Sequence, residues 1–230
     1  MDIQILQLIE GAKQAKGLTV IIDVFRAFSL TCYMADQGAK PIIPVGDIEV
    51  AYALKKQFPE ALLVGERMEL VPEGFDFGNS PTHLLNHDLT GKRIIHTTSS
   101  GTQGLVNAKG ASEILTGSFV NAPAIVRYIQ QKQPTNVSLV GMGYATMYPT
   151  EEDTFCAEYI RDLLLGREVN MPQIIETIRL SSGRRLFDPK NQAHSPETDF
   201  YLCLETGKFN FVLKAEPWEN GLLQLRKIDC

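Results

Sequence analysis

The sequence predicts a layered α/β/α fold with a mostly parallel or mixed sheet. Three observations predict it. Short β-branched apolar runs alternate with amphipathic stretches along most of the chain. Several of those runs end in charged or hydroxyl residues, as strands do where a sheet presents a ligand site at its carboxyl ends. The C-terminal stretch reads as two strands about a turn, which adds antiparallel pairing. With 230 residues and 44% hydrophobic content, one domain is expected, or two small α/β lobes in close contact.

The elements follow in order. "GLTVIIDVF" (17–25) is a buried strand that runs into Asp23. "KPIIPV" (40–45) is a second strand, and Asp47 is placed to cap the helix "IEVAYALKKQF" (48–58). "ALLVGER" (61–67) and "RIIHTT" (93–98) are the third and fourth strands. A short helix follows, ended by Gly110. "SEILTGS" (112–118) is the fifth strand, and Asn121 is expected to cap "APAIVRYIQQK", with Pro123 in its first turn. "NVSLVGMG" (136–143) is the sixth. Helices are expected from Thr150, placed as an N-cap, to about Leu165 and over 171–181, then a hairpin over 209–228 with its turn at Glu219–Gly221.

Composition removes several classes. A net charge of -5 with 21% charged residues argues against a nucleic-acid partner, which would call for a basic stripe. No apolar run is long enough to span a bilayer, and no charged-then-apolar leader opens the chain. Cys32, Cys156, Cys203 and Cys230 are scattered without a CxxC pair, so reduced thiols and a cytoplasmic location are expected. A homodimer is the base-rate expectation.

Four stretches carry chemistry. In "IIDVFRAFS", Asp23 is either a helix cap or ion-pair partner of Arg26, or a metal ligand or nucleophile with Arg26 forking onto an anion. The haloacid-dehalogenase pattern is disfavoured, because the second Asp it needs is here Phe25. "GERMELVPEGFDFGNSP" (65–81) sets Glu66 and Arg67 at a strand end, then brings Asp76, Asn79 and Ser80 together in a long glycine-containing loop. Ser80 before Pro81 also reads as a helix cap.

"IIHTTSSGTQGL" (94–105) places His96, Thr97, Thr98, Ser99 and Ser100 before a helix start at Gly101 and Thr102. It is either an oxyanion cradle or a polar turn. It is neither a Walker loop nor a dinucleotide fingerprint. In "TEEDTFCAEYI" (150–160), helical geometry turns Glu151 away from the apolar stripe and puts Glu152 and Asp153 at its edges, with Asp153 the better metal candidate. The four histidines lack metal-ligand spacing, and His96, just before the hydroxyl run, reads as a satisfied strand-end residue in preference to a proton donor.

Taken in order, "VIIDVFRAFS", "LVGERMELVPEGFDFGNSP", "HTTSSGTQGL", "TGSFVNA" and the acids at 152–153 resemble the ComB family of 2-phosphosulfolactate phosphatases, strongly over about residues 18–165. The resemblance implies a magnesium-dependent hydrolysis of (R)-2-phospho-3-sulfolactate to 3-sulfolactate and phosphate, a step of coenzyme M biosynthesis. It implies site roles for Asp23, Arg26, Glu66, Arg67, Asp76, Asn79, Ser80, Thr97, Thr98, Gly101, Thr102, Asn121 and Asp153. One departure is Ser100, where the family often has Asn.

The chemistry agrees on its own terms. Phosphate monoester hydrolysis asks for positioning and charge neutralisation. Asp23, Glu66, Asp76 and Asp153 would supply carboxylates for Mg2+, and Arg26 and Arg67 would bind the small anionic phosphorylated substrate. Two other readings stay open: a phosphatase for another small phosphorylated 2-hydroxy acid, and a member that binds an anion without turning it over.

Overall fold

The β-branched runs form the centre of a nine-stranded sheet in the computed structural model, which describes residues 1–230. The strands are β1 (Asp2–Gln7), β2 (Gly17–Ile22), β3 (Ile42–Pro44), β4 (Leu62–Gly65), β5 (Ile94–Thr97), β6 (Ala111–Gly117), β7 (Asn136–Gly141), β8 (Phe211–Pro217) and β9 (Leu223–Asp229). The helices are α1 (Leu8–Gln14), α2 (Ala27–Asp36), α3 (Ile48–Gln57), α4 (Pro81–Leu84), α5 (Gly101–Asn107), α6 (Ala122–Lys132), α7 (Glu151–Leu164), α8 (Met171–Leu180) and α9 (Thr198–Leu204).

The sheet order is β1-β7-β2-β6-β8-β9-β3-β5-β4. It consists of two parallel blocks. One is β1, β7, β2 and β6, and the other is β3, β5 and β4. The C-terminal hairpin β8–β9 lies between them, antiparallel to both neighbours. The junction of β9 with β3 is a single residue pair, Leu225 with Ile42. The two blocks therefore run in opposite senses. In a flat sheet their carboxyl ends would lie on opposite edges, so the meeting of those ends described below requires strong twist across this seam.

Alternation of side chains sorts the core into layers. Ile21 and Val140 of one block, Leu213 of the hairpin and Ile42, Val64 and Ile94 of the other block share a central core with α1, α2 and α5. Val20, Ile22 and Leu139 point the opposite way, onto α6, α7 and α8. Ile43, Leu63 and Ile95 pack on α3. Each fully buried Ile or Leu contributes about 2 kcal/mol of transfer free energy.

Several local expectations meet the structure directly. Asp47 caps α3, accepting from Glu49 N at 2.9 Å. The C-terminal hairpin turns at Glu219–Gly221. All four cysteines are free thiols. No helix is long and apolar enough to cross a membrane. Other elements carry no legible signal. α2 is buried on every side, so its sequence "AFSLTCYMAD" shows no polar face to mark a period. β1 is an edge strand of alternating residues, "DIQILQ".

Three caps differ from expectation. α5 ends at Asn107, three residues before Gly110. Asn121 does not cap α6. Its Oδ1 accepts from Ser118 N at 3.1 Å, closing the tight turn Phe119–Asn121. Thr150 precedes α7 with its hydroxyl unpartnered.

Candidate active site

The carboxyl ends of both parallel blocks meet at one cleft, with about 380 Å³ of empty space counting its open mouth. Asp23 enters it after β2, Glu66 after β4, Ser99 and Ser100 after β5, and Gly143 after β7. Arg26 and Asn79 join them on the wall.

Asp23 is buried and accepts from Ala27 N at 3.2 Å. Burial pushes its carboxyl up to about 6, the Ala27 and Gly101 amides oppose that shift, and the charge of Glu66 adds to it. Gly101 is a glycine for a reason of space: a Cβ there would lie 2.9 Å from Asp23 Oδ2. Only the bare backbone brings the start of α5 against that carboxylate.

Arg26 does not pair with Asp23. Its Nη1 donates to Asp199 Oδ2 at 2.8 Å and to the His194 carbonyl at 2.6 Å, with 2% and 0% of the Arg26 and Asp199 side chains exposed. Its Nε is buried with no partner. The other Asp199 oxygen accepts from Ser80 Oγ, Thr82 N and Thr82 Oγ1 at 2.8, 3.0 and 2.6 Å. Asp199 thus caps α4 in place of the expected Ser80, whose hydroxyl is a donor to it.

The hydroxyl run resolves into struts. Ser99 N and Oγ donate to the Glu66 carboxylate at 2.6 and 3.1 Å, and Ser99 Oγ accepts from Met68 N at 3.1 Å. Ser100 Oγ donates to the Gly143 carbonyl at 2.9 Å and accepts from Thr146 N at 3.2 Å. Thr98 and Thr102 bond to each other around the first turn of α5, and Thr97 Oγ1 accepts from Arg67 Nη2 at 2.7 Å. An amide expected to cradle a ligand oxyanion holds one of the protein's own carboxylates instead: Ser99 N donates to Glu66, while Asp23 accepts from Ala27 N. Of the run, Ser99 and Ser100 line the cleft, whereas Thr97, Thr98 and Thr102 do not.

Four further expectations are corrected. Arg67 turns away from the cleft, its Nη2 donating to the Gly46 carbonyl at 3.1 Å and its Nη1 to the Glu66 carbonyl at 2.8 Å. Asp76 lies outside the cleft as well. Its Oδ2 accepts from Leu63 N at 2.8 Å and sits 3.5 Å from Lys55 Nζ. Asn121 belongs to the turn before α6. The fourth concerns the metal set: Asp23 and Glu66 line the cleft and Asp153 is buried close to Asp23, Asp76 stands apart from them, and no group of three or more acids, His or Cys forms a ready-made cage.

Asp153 and Glu152 are buried behind the cleft lining, close to Asp23. Asp153 accepts from the amides of Val24, Met142 and Gly143 at 2.8, 3.1 and 2.8 Å, which fixes the loop after β7 to the end of β2. Burial, with Glu152 and Asp23 close by, pushes its carboxyl up, and the amides of Val24 and Gly143 pull the other way. Glu152 is buried, its Oε2 has no partner, and burial pushes it up to about 7. His96 is wholly buried, and burial, with the charge of Arg67, pushes it down to about 3. Its Nε2 lies 3.5 Å from Asn79 Oδ1 but its Nδ1 has no partner, so it is not the satisfied strand-end residue expected.

One residue of the cleft left no signal in the sequence. Arg185 lies in the tight turn Ser182–Phe187, ion-paired to Glu69, with Nη2 donating to the Phe25 carbonyl at 3.3 Å and 3.9 Å from Glu152 Oε1. Burial lowers its guanidinium to about 10, and neighbouring Arg26 adds to that. Two adjacent arginines in "SSGRRLFDP" look like a solvated turn, and only tertiary placement puts one of them in the site.

Fold and site together define an α/β protein with an acid- and arginine-lined cleft at the carboxyl ends of its strands, a setting for small anionic ligands. The family model described as 2-phosphosulpholactate phosphatase matches residues 3–217. A probable 2-phosphosulfolactate phosphatase of Bacillus subtilis (strain 168) is 29% identical over 219 residues, 94% of each chain. One of Caldicellulosiruptor saccharolyticus is 38% identical over 168 residues, 71% of this chain and 68% of that one. Another, of Thermotoga petrophila, is 36% identical over 144 residues, 63% of this chain and 61% of that one. The chain belongs to the 2-phosphosulpholactate phosphatase family, and so to the phosphoric monoester hydrolases.

Proposed function

We propose that the protein hydrolyses (R)-2-phospho-3-sulfolactate to 3-sulfolactate and inorganic phosphate with the help of Mg2+. The observation that carries this reading is the composition of the cleft: buried carboxylates in excess of their positive partners, beside a guanidinium with an unused donor. The names of the relatives supply the substrate.

The residues divide the work. Arg26, immobilised by Asp199 and His194, offers its unpartnered Nε toward a phosphate oxygen. Because its orientation is fixed before the ligand arrives, little entropy is lost in making that contact. Glu66 is held by three donors and keeps the loops after β4 and β5 in register. Asn79 adds an amide to the same wall.

The donor set suits a hard divalent cation. Asp23 faces the cleft, and Glu152, buried behind the lining with a partnerless Oε2, offers a further oxygen of the kind such an ion would take. Magnesium keeps much of its water and needs only one or two carboxylates plus substrate phosphate, so a three-acid cage is not required. When bound, it would neutralise phosphate charge and draw Asp23 and Glu152 into their ionised forms.

The test is phosphate release from (R)-2-phospho-3-sulfolactate with Mg2+ or with a chelator. Release that depends on Mg2+ is expected. Release that persists undiminished in chelator would remove the metal from this reading, and no release with Mg2+ would remove the reaction. A panel of other phosphorylated 2-hydroxy acids, run alongside, measures how far the substrate is restricted.

A further inference from the structure

Two guanidiniums reach the cleft, and their settings differ. Arg26 is locked from behind by Asp199, a partner that lies outside the cleft. The partner of Arg185, Glu69, is itself a cleft-lining residue. Arg185 also has an aromatic flank, its guanidinium carbon 5.5 Å from the centre of the Tyr144 ring.

Glu69 is held in an unusual way. Met68 and Glu69 are consecutive non-glycine residues with φ of 50° and 67°, a left-handed conformation that costs about 1–2 kcal/mol per residue. The two residues form the tip of a tight hairpin closed by the Arg67–Leu70 backbone pair, a turn that requires positive φ at both positions, and Glu69 N donates to Glu66 Oε2 at 2.8 Å. This turn delivers a carboxylate onto an arginine inside the site.

We infer that Arg185 is the residue that reads the second acid group of the substrate, carboxylate or sulfonate, and that Glu69 occupies that receptor in the free protein. The inference rests on the reading that the ligand is a small phosphorylated acid. It assigns the buried floor, with Asp23 and Arg26, to the phosphate. It assigns the rim, with Arg185, Glu69 and Tyr144, to the rest of the molecule. A side-chain carboxylate and a ligand oxyanion make the same forked contact with a guanidinium, so one replaces the other.

The experiment is calorimetric titration of 3-sulfolactate and of inorganic phosphate into the parent protein, Glu69→Gln, Arg185→Gln and the double variant, each checked for a cooperative melt. Glu69→Gln is expected to bind 3-sulfolactate several-fold more tightly, because a competitor is gone. Arg185→Gln is expected to weaken 3-sulfolactate by at least about tenfold more than phosphate, the scale of one lost charge-assisted hydrogen bond. The Glu69→Gln gain should vanish in the double variant.

A purely structural ion pair would give no gain of affinity on removing Glu69, and that result overturns the inference. Equal losses for phosphate and 3-sulfolactate in Arg185→Gln would overturn it too. If Arg185→Gln does not fold, Arg185→Lys, which keeps the charge and loses the fork, takes its place under the same criteria. Should the parent release no phosphate from any phosphorylated acid, the proposed reaction fails, while the 3-sulfolactate titrations still decide the role of Arg185.

Discussion

Arg26 and Asp199 stand 2.8 Å apart, wholly buried, although 173 residues separate them in the chain. The pair ties the turn after β2 to α9, and through Ser80 and Thr82 to the start of α4. Removing one member strands a buried charge. Asp199→Ala is expected to cost about 3–5 kcal/mol in urea unfolding. Ser80→Ala removes one neutral donor to the same carboxylate and should cost nearer about 1 kcal/mol. Equal losses in the two variants would contradict this division.

Ser100 joins two cleft segments by accepting from Thr146 N and donating to the Gly143 carbonyl. Ser100→Ala leaves both groups without that partner, at an expected cost of about 1–3 kcal/mol. It also loosens Tyr144 and Ala145, which line the cleft. Substrate KM should rise more than kcat falls. Steady-state kinetics on a variant that melts cooperatively checks this, and an unaltered KM would count against the clamp.

The sequence alone suggests that Asp76→Asn abolishes metal-dependent turnover. The structure leads to a different outcome. Asp76 is a third exposed and bonds to Leu63 N and Lys55, a pairing worth up to about 1 kcal/mol. An Asn oxygen still accepts from Leu63 N. Phosphate release should persist in Asp76→Asn, and its loss in a folded variant would return Asp76 to the site.

Burial raises Asp23 to about 6 and Glu152 to about 7, both above their unfolded values. The folded protein therefore holds these protons more tightly than the unfolded chain does. The stability tied to the protonated acids is present at low pH and is lost as pH climbs from about 4 to about 7. Glu152→Gln stays neutral throughout. In chelator, its melting temperature should rise relative to the parent across that interval. A relative fall would contradict the raised value.

Much of the fold is legible because burial imposes its pattern locally. Ile20s and Ile40s positions such as Ile21, Ile22, Ile42 and Ile43 sit in runs whose β-branched residues fill both faces of covered strands. The site is legible to the extent that chemistry lies at strand ends, as with Asp23, Glu66 and Ser100. Proximity along a loop misleads at Asp76: it lies three residues before Asn79, yet its carboxylate folds back onto β4. Arg185 and Asp199 are silent, because each acts only through partners far away in sequence. The hydroxyl run reads as an anion cradle, and the anion it holds is Glu66.

The most direct measurement is phosphate release from (R)-2-phospho-3-sulfolactate by the parent and by Asp23→Asn, with Mg2+ present and with it chelated. Turnover by the parent with Mg2+, and its loss both in chelator and in a cooperatively folded Asp23→Asn, is the predicted result. Full turnover by Asp23→Asn would contradict the assignment of the reaction to this cleft.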